Sequence, residues 1–328
     1  MVAHGGLYGA RLPRCTLSVM DHFVISPTVA AAVAAGRPVV ALETTLVTHG
    51  LPHPDGLEVA AALEAVVTAE GAVPATIGIL QGVIHVGMTA AELARLAATP
   101  HVAKVNPSNL AAVLAARESG STTVAATLLA AERAGIRVFA TGGIGGVHRQ
   151  AEVTGDVSAD VFALARHRVA VVTAGAKAVL DLPRTVELLE TLGVPVLGHG
   201  TDEFPAFYRR SSGLRVDRRC DTIAELAAAV RLHFELGPGT GVVVANPIPP
   251  EHEMPQDLYE AGLSAALTAA DEAGIRGREV TPFLLDRMRA LTAGLSIAVN
   301  RALLIHNATV AAQLAVALTR FTRSSLTP

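Results

Sequence analysis

The feature that most constrains the fold of this chain is a series of short, β-branched apolar runs separated by helical stretches. Each run has the length of a strand and is closed by Gly, Thr, Asn or Pro, as buried parallel strands are. The runs are Val39–Leu42, Ala75–Leu80, Ile136–Ala140, Val169–Thr173, Val194–Leu197 and Val242–Ala245. This alternation predicts an α/β fold built around a largely parallel sheet.

The segments between the runs carry recognisable turn and helix-start signals. Thr89 with Glu92, and Thr222 with Glu225, have the spacing of a capping box, which predicts a helix start at each threonine. Gln81-Gly82 lies between two apolar runs and predicts a hairpin, so the sheet is expected to be mixed.

The 328 residues contain no repeat and no low-complexity linker, which favours a single domain. We expect residues 1–24 to be an N-terminal extension of uncertain order, within which Met20 is an alternative start, and residues 25–328 to form that single domain. After Pro255 the pattern predicts helices to the end of the chain.

Composition excludes several classes of partner. The net charge is −3 and aromatic residues make up 3% of the chain, so neither a basic stripe nor a stacking surface for a nucleic acid polymer is expected. The two cysteines, Cys15 and Cys220, are far apart and fit a reducing compartment, which predicts a cytoplasmic protein. No apolar run of about 18 residues free of charges and helix breakers is expected, so we predict no membrane contact.

Unusual polar segments follow the strand-like runs directly. They are Glu43-Thr44-Thr45, Thr141–Arg149, Ala174-Gly175-Ala176-Lys177 and Asn246–Pro250. Ligands of open α/β sheets bind beyond the carboxyl ends of the strands, so these segments predict one shared site.

Glu43 has two interpretations, a solvated loop carboxylate or a partly desolvated general acid or base whose pKa is raised. His49 and His53 lie in a Pro/Gly loop; a metal-binding role is weakly indicated, and loop shaping or substrate contact is the better interpretation. Lys177 is either a surface lysine or an amine whose pKa is lowered by desolvation beside a buried strand, ready to attack a carbonyl. Lys104 and Lys177 are the only lysines in the chain.

Two further segments suggest an anionic ligand and a metal. The four glycines of Gly142–Arg149 either allow a tight turn or expose backbone amides to a phosphate, and we favour the phosphate loop. Asp156 and Asp160 are four residues apart, as on one helical face, with Ser158 or Asp156 available as a helix cap. Such hard oxygen ligands suit Mg²⁺ or Mn²⁺.

Several motifs in order resemble those of the pseudouridine-5′-phosphate glycosidase family from about residue 27 to about residue 316. The motifs include Ala41-Leu42-Glu43-Thr44-Thr45, Gly71-Ala72-Val73-Pro74, Phe139-Ala140-Thr141-Gly142-Gly143, Asp156-Val157-Ser158-Ala159-Asp160, Ala174-Gly175-Ala176-Lys177, Ala245-Asn246-Pro247-Ile248-Pro249 and Thr281-Pro282-Phe283-Leu284-Leu285. The resemblance implies a three-layer α/β/α fold, a homotrimer and an Mn²⁺-type cation. It also implies a C-glycosidase that reversibly converts pseudouridine 5′-phosphate and water to uracil and ribose 5-phosphate.

Carried over by position, the resemblance implies Lys177 as the nucleophile, Glu43 as the proton donor and Asp156 as the metal ligand. It further implies substrate contacts at Lys104, Val124, Ser158, Ala159, Asp160, His148 and Asn300. Attachment of a lysine at C1′ of an opened ribose supplies the electron sink that cleavage of a C–C glycosidic bond requires.

The chain departs from the family pattern near Lys104. Family members usually have Lys-x-Ser/Gly-x-Arg-Asp-Leu where this chain has Lys104-Val105-Asn106-Pro107-Ser108-Asn109-Leu110, and Ala293-Gly294 replaces a Gly-Gly. These changes concern recognition of the base. They are compatible with an alternative, a C-glycosynthase that attaches ribose 5-phosphate to an aromatic natural-product acceptor. A third hypothesis, a non-catalytic phosphosugar-binding protein, is disfavoured because Glu43, Asp156 and Lys177 occur together.

Overall fold

The computed structural model describes residues 22–52, 54–275 and 280–324. The strands in these ranges are β1 Phe23–Ile25, β2 Val39–Leu42, β3 Val73–Leu80, β4 Val83–Val86, β5 Ala103–Val105, β6 Gly120–Thr122, β7 Val138–Ala140, β8 Ala170–Thr173, β9 Val196–His199, β10 Arg218–Cys220 and β11 Val242–Ala245. The α-helices are α1 Pro27–Ala34, α2 Asp55–Ala69, α3 Ala90–Ala98, α4 Leu110–Ala115, α5 Val124–Arg133, α6 Ala151–Thr154, α7 Ala159–Leu164, α8 Leu182–Thr191, α9 Ile223–Leu236, α10 Gln256–Glu272, α11 Val280–Leu291 and α12 Leu295–Ser324.

One mixed sheet contains all of these strands, in the order β1-β4-β3-β2-β7-β8-β11-β9-β10, with β6 paired to β3 and β5 paired to β6. The segment from β2 to β10 is parallel throughout, and β2, β7, β8 and β11 are buried along their whole length. The hairpin predicted at Gln81-Gly82 joins β3 to an antiparallel β4. The prediction of a mostly parallel, mixed sheet is therefore confirmed.

All six predicted strands are present, whereas the three-residue strands β1, β5, β6 and β10 were not predicted. Three residues are too few to establish a periodic pattern, and only pairing with a neighbour defines these strands. Strand β1 pairs with β4 and includes Phe23 and Val24, which the sequence placed in the N-terminal extension. Residues 1–21, with Met20 and Cys15, lie outside the described part of the chain.

Helices cover both faces of the sheet. On one face α12 contacts β2, β7 and β8 and packs beside α2 and α9, while on the other α5 contacts β2 and β3 and packs against α7. The three-layer α/β/α prediction is confirmed. The capping box at Thr89 is complete, and Thr222 caps α9 by accepting from the Glu225 amide.

Helix α12 corrects one sequence prediction. Leu295–Arg320 is long and apolar enough to cross a membrane by length and composition alone, so the expectation that no segment meets these criteria is wrong. In the structure half of its most apolar window is buried, because the helix lies across the central strands. Such burial is typical of the core helix of an α/β domain.

Candidate active site

The site forms where four neighbouring parallel strands end. Since β2, β7, β8 and β11 are adjacent and parallel, the residues that follow them meet at one edge of the sheet. Glu43 follows β2, Thr141 follows β7, Lys177 lies four residues beyond β8, and Asn246 follows β11. The predicted segments after β2, β7 and β8 line one cavity, whereas no residue of Asn246–Pro250 lines it.

Glu43 is half-buried between charged neighbours. Its carboxylate accepts a hydrogen bond from the Thr141 hydroxyl. Burial raises the pKa of the Glu43 carboxyl above the ordinary value for glutamate, and Asp160 adds to this effect, while Lys177, Thr141 and Lys104 oppose it. A raised pKa favours the protonated carboxyl group, which is the form that a general acid requires.

Lys177 is positioned by a sharp backbone turn after β8. Gly175 has a φ of +89°, and a Cβ there would lie 2.0 Å from the Pro205 carbonyl oxygen, so only glycine fits. The Lys177 amide donates to the Ile144 carbonyl at 3.0 Å, which ties this turn to the glycine-rich loop. The side chain is half-buried and lines the same cavity as Glu43, which favours a functional amine over a surface lysine.

Helix α7 begins later than the aspartate spacing suggested. Ser158 is its N-cap and accepts from the Asp160 amide at 3.2 Å, so Asp156 lies in the extended segment before the helix. The prediction that Asp156 and Asp160 share a helical face is therefore wrong. Asp160 is 5% exposed, and its two carboxylate oxygens accept from the amides of Ala125 at 2.9 Å and Gly145 at 2.8 Å.

The glycine-rich loop packs against the protein more tightly than we expected. Four of its amides donate to protein acceptors, namely those of Ile144, Gly145, Val147 and His148. A Cβ at Gly145 would lie 2.2 Å from the Ser158 hydroxyl oxygen, and one at Gly146 would lie 2.4 Å from that of Thr185. The predicted phosphate loop is wrong for these four amides, because the glycines permit close packing.

His148 and Asp156 form a pair at the rim of the cavity. The distance from His148 Nδ1 to Asp156 Oδ2 is 3.8 Å. Burial lowers the pKa of His148, assisted by Lys177 and Lys104 and opposed by Asp156, and this shift favours the neutral imidazole. Among the described residues no cluster of three or more His, Cys, Asp or Glu side chains could hold a metal. Asp156 with His148 fits only a cation that keeps most of its water or takes oxygens from a ligand.

The cavity has a polar part and a less polar part. The polar part is lined by residues that include Asn106, Val124, His148, Asp156, Ser158, Ala159 and Asp160. The other part is lined by residues that include Leu46, Phe207, Leu285, Asn300 and Leu304. Glu43, Thr45, Lys104 and Lys177 belong to both parts and mark their junction. The structure thus brings together all ten residues that the sequence analysis selected.

Several residues of the cavity were missed by the sequence analysis. Phe207 has a φ of +63°, unusual for an aromatic residue, and a Cβ at Gly143 would lie 2.6 Å from its ring. Thr45 and Thr141 were quoted within motifs but given no role. His49 lines the less polar part, with Nδ1 2.6 Å from the Thr48 hydroxyl oxygen, whereas His53 lies outside the described residues.

The loop that departs from the family pattern is closed by its own amide side chains. Asn109 Oδ1 accepts from the backbone amide of Asn106 at 2.9 Å, and Asn109 Nδ2 donates to the backbone carbonyl of Lys104 at 3.1 Å. Asn106 Oδ1 accepts from the Ser108 amide at 2.8 Å. These bonds fix the end of β5 and thus the backbone that carries Lys104.

The family model described as indigoidine synthase A like protein matches residues 28–317. The chain belongs to the indigoidine synthase A-like family. Its curated relatives include pseudouridine-5′-phosphate glycosidases, one from Herpetosiphon aurantiacus at 52% identity over 91% of this chain and 99% of the relative, and one from Methylobacterium nodulans at 54% identity over 92% and 89%. The resemblance derived from the motifs is confirmed.

Two solved structures share the fold. A prealnumycin C-glycosynthase, solved with ribulose 5-phosphate, superposes with a TM-score of 0.86 at 38% identity over 92% of this chain and 98% of that one. An indigoidine synthase A-like protein from Thermotoga maritima superposes with a TM-score of 0.81 at 38% identity over 87% and 94%.

Proposed function

We propose that this enzyme reversibly cleaves pseudouridine 5′-phosphate to uracil and ribose 5-phosphate through a lysine adduct at C1′. The observation that carries the proposal is the position of Lys177 and Glu43 at the junction of a polar and a less polar compartment. The names of relatives at 52% and 54% identity support the substrate.

The two compartments match the two halves of that substrate. The polar compartment, with Ser158, Asp160 and Asn106, suits the hydroxyls and phosphate of the sugar. The less polar compartment, walled by Phe207 and Leu285, suits a flat base, with Asn300 available for a polar edge. C1′ then lies at the junction, within reach of the lysine.

Attachment of the lysine opens the sugar ring. The Lys177 nitrogen bonds to C1′ as the C1′–O4′ bond breaks, and O4′ takes the proton held by Glu43. The Glu43 carboxylate then removes a proton from the ammonium nitrogen at C1′, which restores the nitrogen lone pair. The raised pKa of Glu43 keeps that proton available. Lys177, once deprotonated, has the lone pair that this attack uses.

Cleavage of the C–C bond follows from the adduct. A proton adds to uracil C5, the C1′–C5 bond breaks with its electrons entering the uracil ring, and the nitrogen lone pair forms an iminium at C1′. Lys104 supplies a second ammonium group at the junction for this proton movement. Water then adds at C1′, the lysine leaves, and the aldehyde of ribose 5-phosphate remains.

The direct test is release of uracil and ribose 5-phosphate from pseudouridine 5′-phosphate in the presence of Mn²⁺. We expect both products in equal amounts, and uracil with ribose 5-phosphate should give the reverse reaction. Absence of product at high enzyme concentration would rule the proposal out. An enzyme that ignores uracil but joins ribose 5-phosphate to a larger aromatic acceptor would instead support a C-glycosynthase. The altered loop Asn106–Asn109 is the feature that favours this second candidate.

We propose that Asp156 binds an Mn²⁺ or Mg²⁺ ion, with His148 beside it. Such an ion would neutralise the charge of the substrate phosphate. Asp156→Asn should raise the Mn²⁺ concentration needed for half-maximal rate by about 10-fold or more. Titration of activity with Mn²⁺ after removal of metal by EDTA measures this change. Glu152→Gln, a carboxylate replacement on the neighbouring α6, is the matched control, and an equal effect in both variants would contradict the assignment.

A further inference from the structure

A row of buried side chains lies beneath the site and connects α12 to the ends of β7 and β11. Asn307 Nδ2 donates to the Thr141 carbonyl at 2.8 Å, and Asn246 Nδ2 donates to Asn307 Oδ1 at 2.9 Å. Asn246 Oδ1 lies 3.0 Å from His199 Nδ1. Thr141, Asn246 and Asn307 are each at most 2% exposed, so these polar groups depend on one another for hydrogen bonds.

One end of the row fixes the direction of every bond in it. The Thr141 carbonyl can only accept, so Asn307 must turn its NH₂ toward it and its oxygen toward Asn246. Asn246 must then offer its NH₂ to Asn307 and its oxygen to His199. His199 therefore carries a proton on Nδ1, whether the ring is neutral or charged.

We propose that Asn307 and Asn246 are positioning residues that hold Thr141 and, through the Thr141 hydroxyl, set the orientation of the Glu43 carboxyl. The inference rests on the proposed function of Glu43 as the proton donor. Neither asparagine is among the residues lining the two compartments of the cavity, so their effect is exerted through Thr141.

Thr141 is well suited to transmit this effect. Its amide donates to the Val172 carbonyl at 3.1 Å while its carbonyl accepts from Asn307, so the backbone is fixed on both sides. A β-branched side chain has few rotamers, and the fixed backbone therefore determines where the hydroxyl points. That hydroxyl donates to Glu43.

A double-mutant cycle tests the connection. Thr141→Val removes the hydroxyl, and Asn307→Leu removes the amide that holds Thr141. We expect each variant to lower kcat for uracil release by about 10-fold to 100-fold with little change in KM, since a displaced catalytic group slows turnover. The double variant should be no slower than the slower single variant, because both changes act on one group. Multiplicative effects would overturn the proposal.

The pH dependence supplies a readout that a purely structural role would not change. The Thr141 hydroxyl lowers the pKa of Glu43, and the charged groups facing this carboxyl are Lys177, Lys104 and Asp160. Loss of the hydroxyl or of its orientation should move the Glu43 limb of the kcat profile to higher pH. Thr141→Val and Asn307→Leu should shift the same limb in the same direction, and an unchanged limb in Asn307→Leu would overturn the proposal.

Two further variants protect the test against simple misfolding. Gln313→Leu, on the same helix α12, removes an amide hydrogen bond to Glu70 and should leave kcat and the pH limb unchanged. Asn246→Ala leaves α12 intact and should reproduce the pH shift if Asn307→Leu does not fold. A lowered melting temperature with wild-type kcat in the Asn246 variant would show a structural role only.

The direction of the hydrogen bonds in the row can be measured without any enzymatic turnover. Nitrogen-15 NMR of the histidine rings should show a protonated Nδ1 on His199 in the wild type at alkaline pH, and loss of this preference in Asn246→Ala. A free choice of tautomer in the wild type would overturn the bond pattern. If the wild type shows the protonated Nδ1 of His199 but releases no uracil, the proposed function fails while the bond pattern stands. The effect of the asparagine variants on Glu43 is then measured as the rate at which borohydride traps the ribose 5-phosphate adduct.

Discussion

Lys177→Ala should abolish turnover, with a loss in kcat on the order of 10⁴-fold or more, because it removes the amine that forms the bond to C1′. Lys177→Arg should be equally inactive, since arginine keeps the charge but does not give up its proton. Folding of both variants should be intact because Lys177 is only half-buried. Uracil release at saturating substrate measures the effect.

Covalent trapping distinguishes a nucleophile from a binding residue. Borohydride with ribose 5-phosphate should add the mass of the reduced sugar phosphate to the wild type at Lys177, and to neither Lys177 variant. Lys104→Ala is the matched control, because it removes the other lysine of the same junction. It should lose activity yet keep the label at Lys177. Equal labelling of the wild type and Lys177→Ala would exclude the assigned role.

The sequence predicted the sheet well because buried parallel strands leave a local signature. Strands such as Val39–Leu42 and Val242–Ala245 are apolar at every position and are followed directly by a polar residue. This pattern is visible without knowledge of the neighbouring strands. The same reasoning located Glu43 and Lys177 at one edge, since parallel strands bring their carboxyl ends together. The family resemblance then added residues such as Val124, whose type alone indicates no chemistry.

The remaining features depend on contacts between distant segments. Asn246 and Asn307 are 61 residues apart in the chain, and neither pattern nor composition indicates that they meet. The glycines of Gly142–Arg149 indicate close approach, but the sequence does not say whether a phosphate or the Ser158 side chain is the neighbour. The conformation of Phe207 likewise depends on the fold around it.

Glu43→Gln should lower kcat by about 10²-fold to 10⁴-fold, the usual contribution of a general acid or base. Glutamine keeps the size of the side chain and can accept from the Thr141 hydroxyl, but it has no proton to deliver to O4′. Binding of ribose 5-phosphate should change little, because glutamine keeps the size of the side chain and the other residues of the polar compartment are unchanged. Pre-steady-state measurement of adduct formation and uracil release locates the step that slows, and wild-type kcat in this variant would contradict the proposal.

The same substitution should change how stability depends on pH. The pKa of Glu43 is higher in the folded protein than in the unfolded chain because burial penalises the ionised form. The folded state therefore holds this proton more tightly, and the stability it gives is present below the unfolded pKa and lost as pH rises through the folded pKa. Glutamine does not titrate, so the Glu43→Gln variant does not lose this stability as the pH rises. Its melting temperature should therefore fall less than that of the wild type between acidic and neutral pH. Glu64→Gln, the matched control on α2, should follow the wild-type curve, and parallel curves for Glu43→Gln and the wild type would show that burial does not raise this pKa.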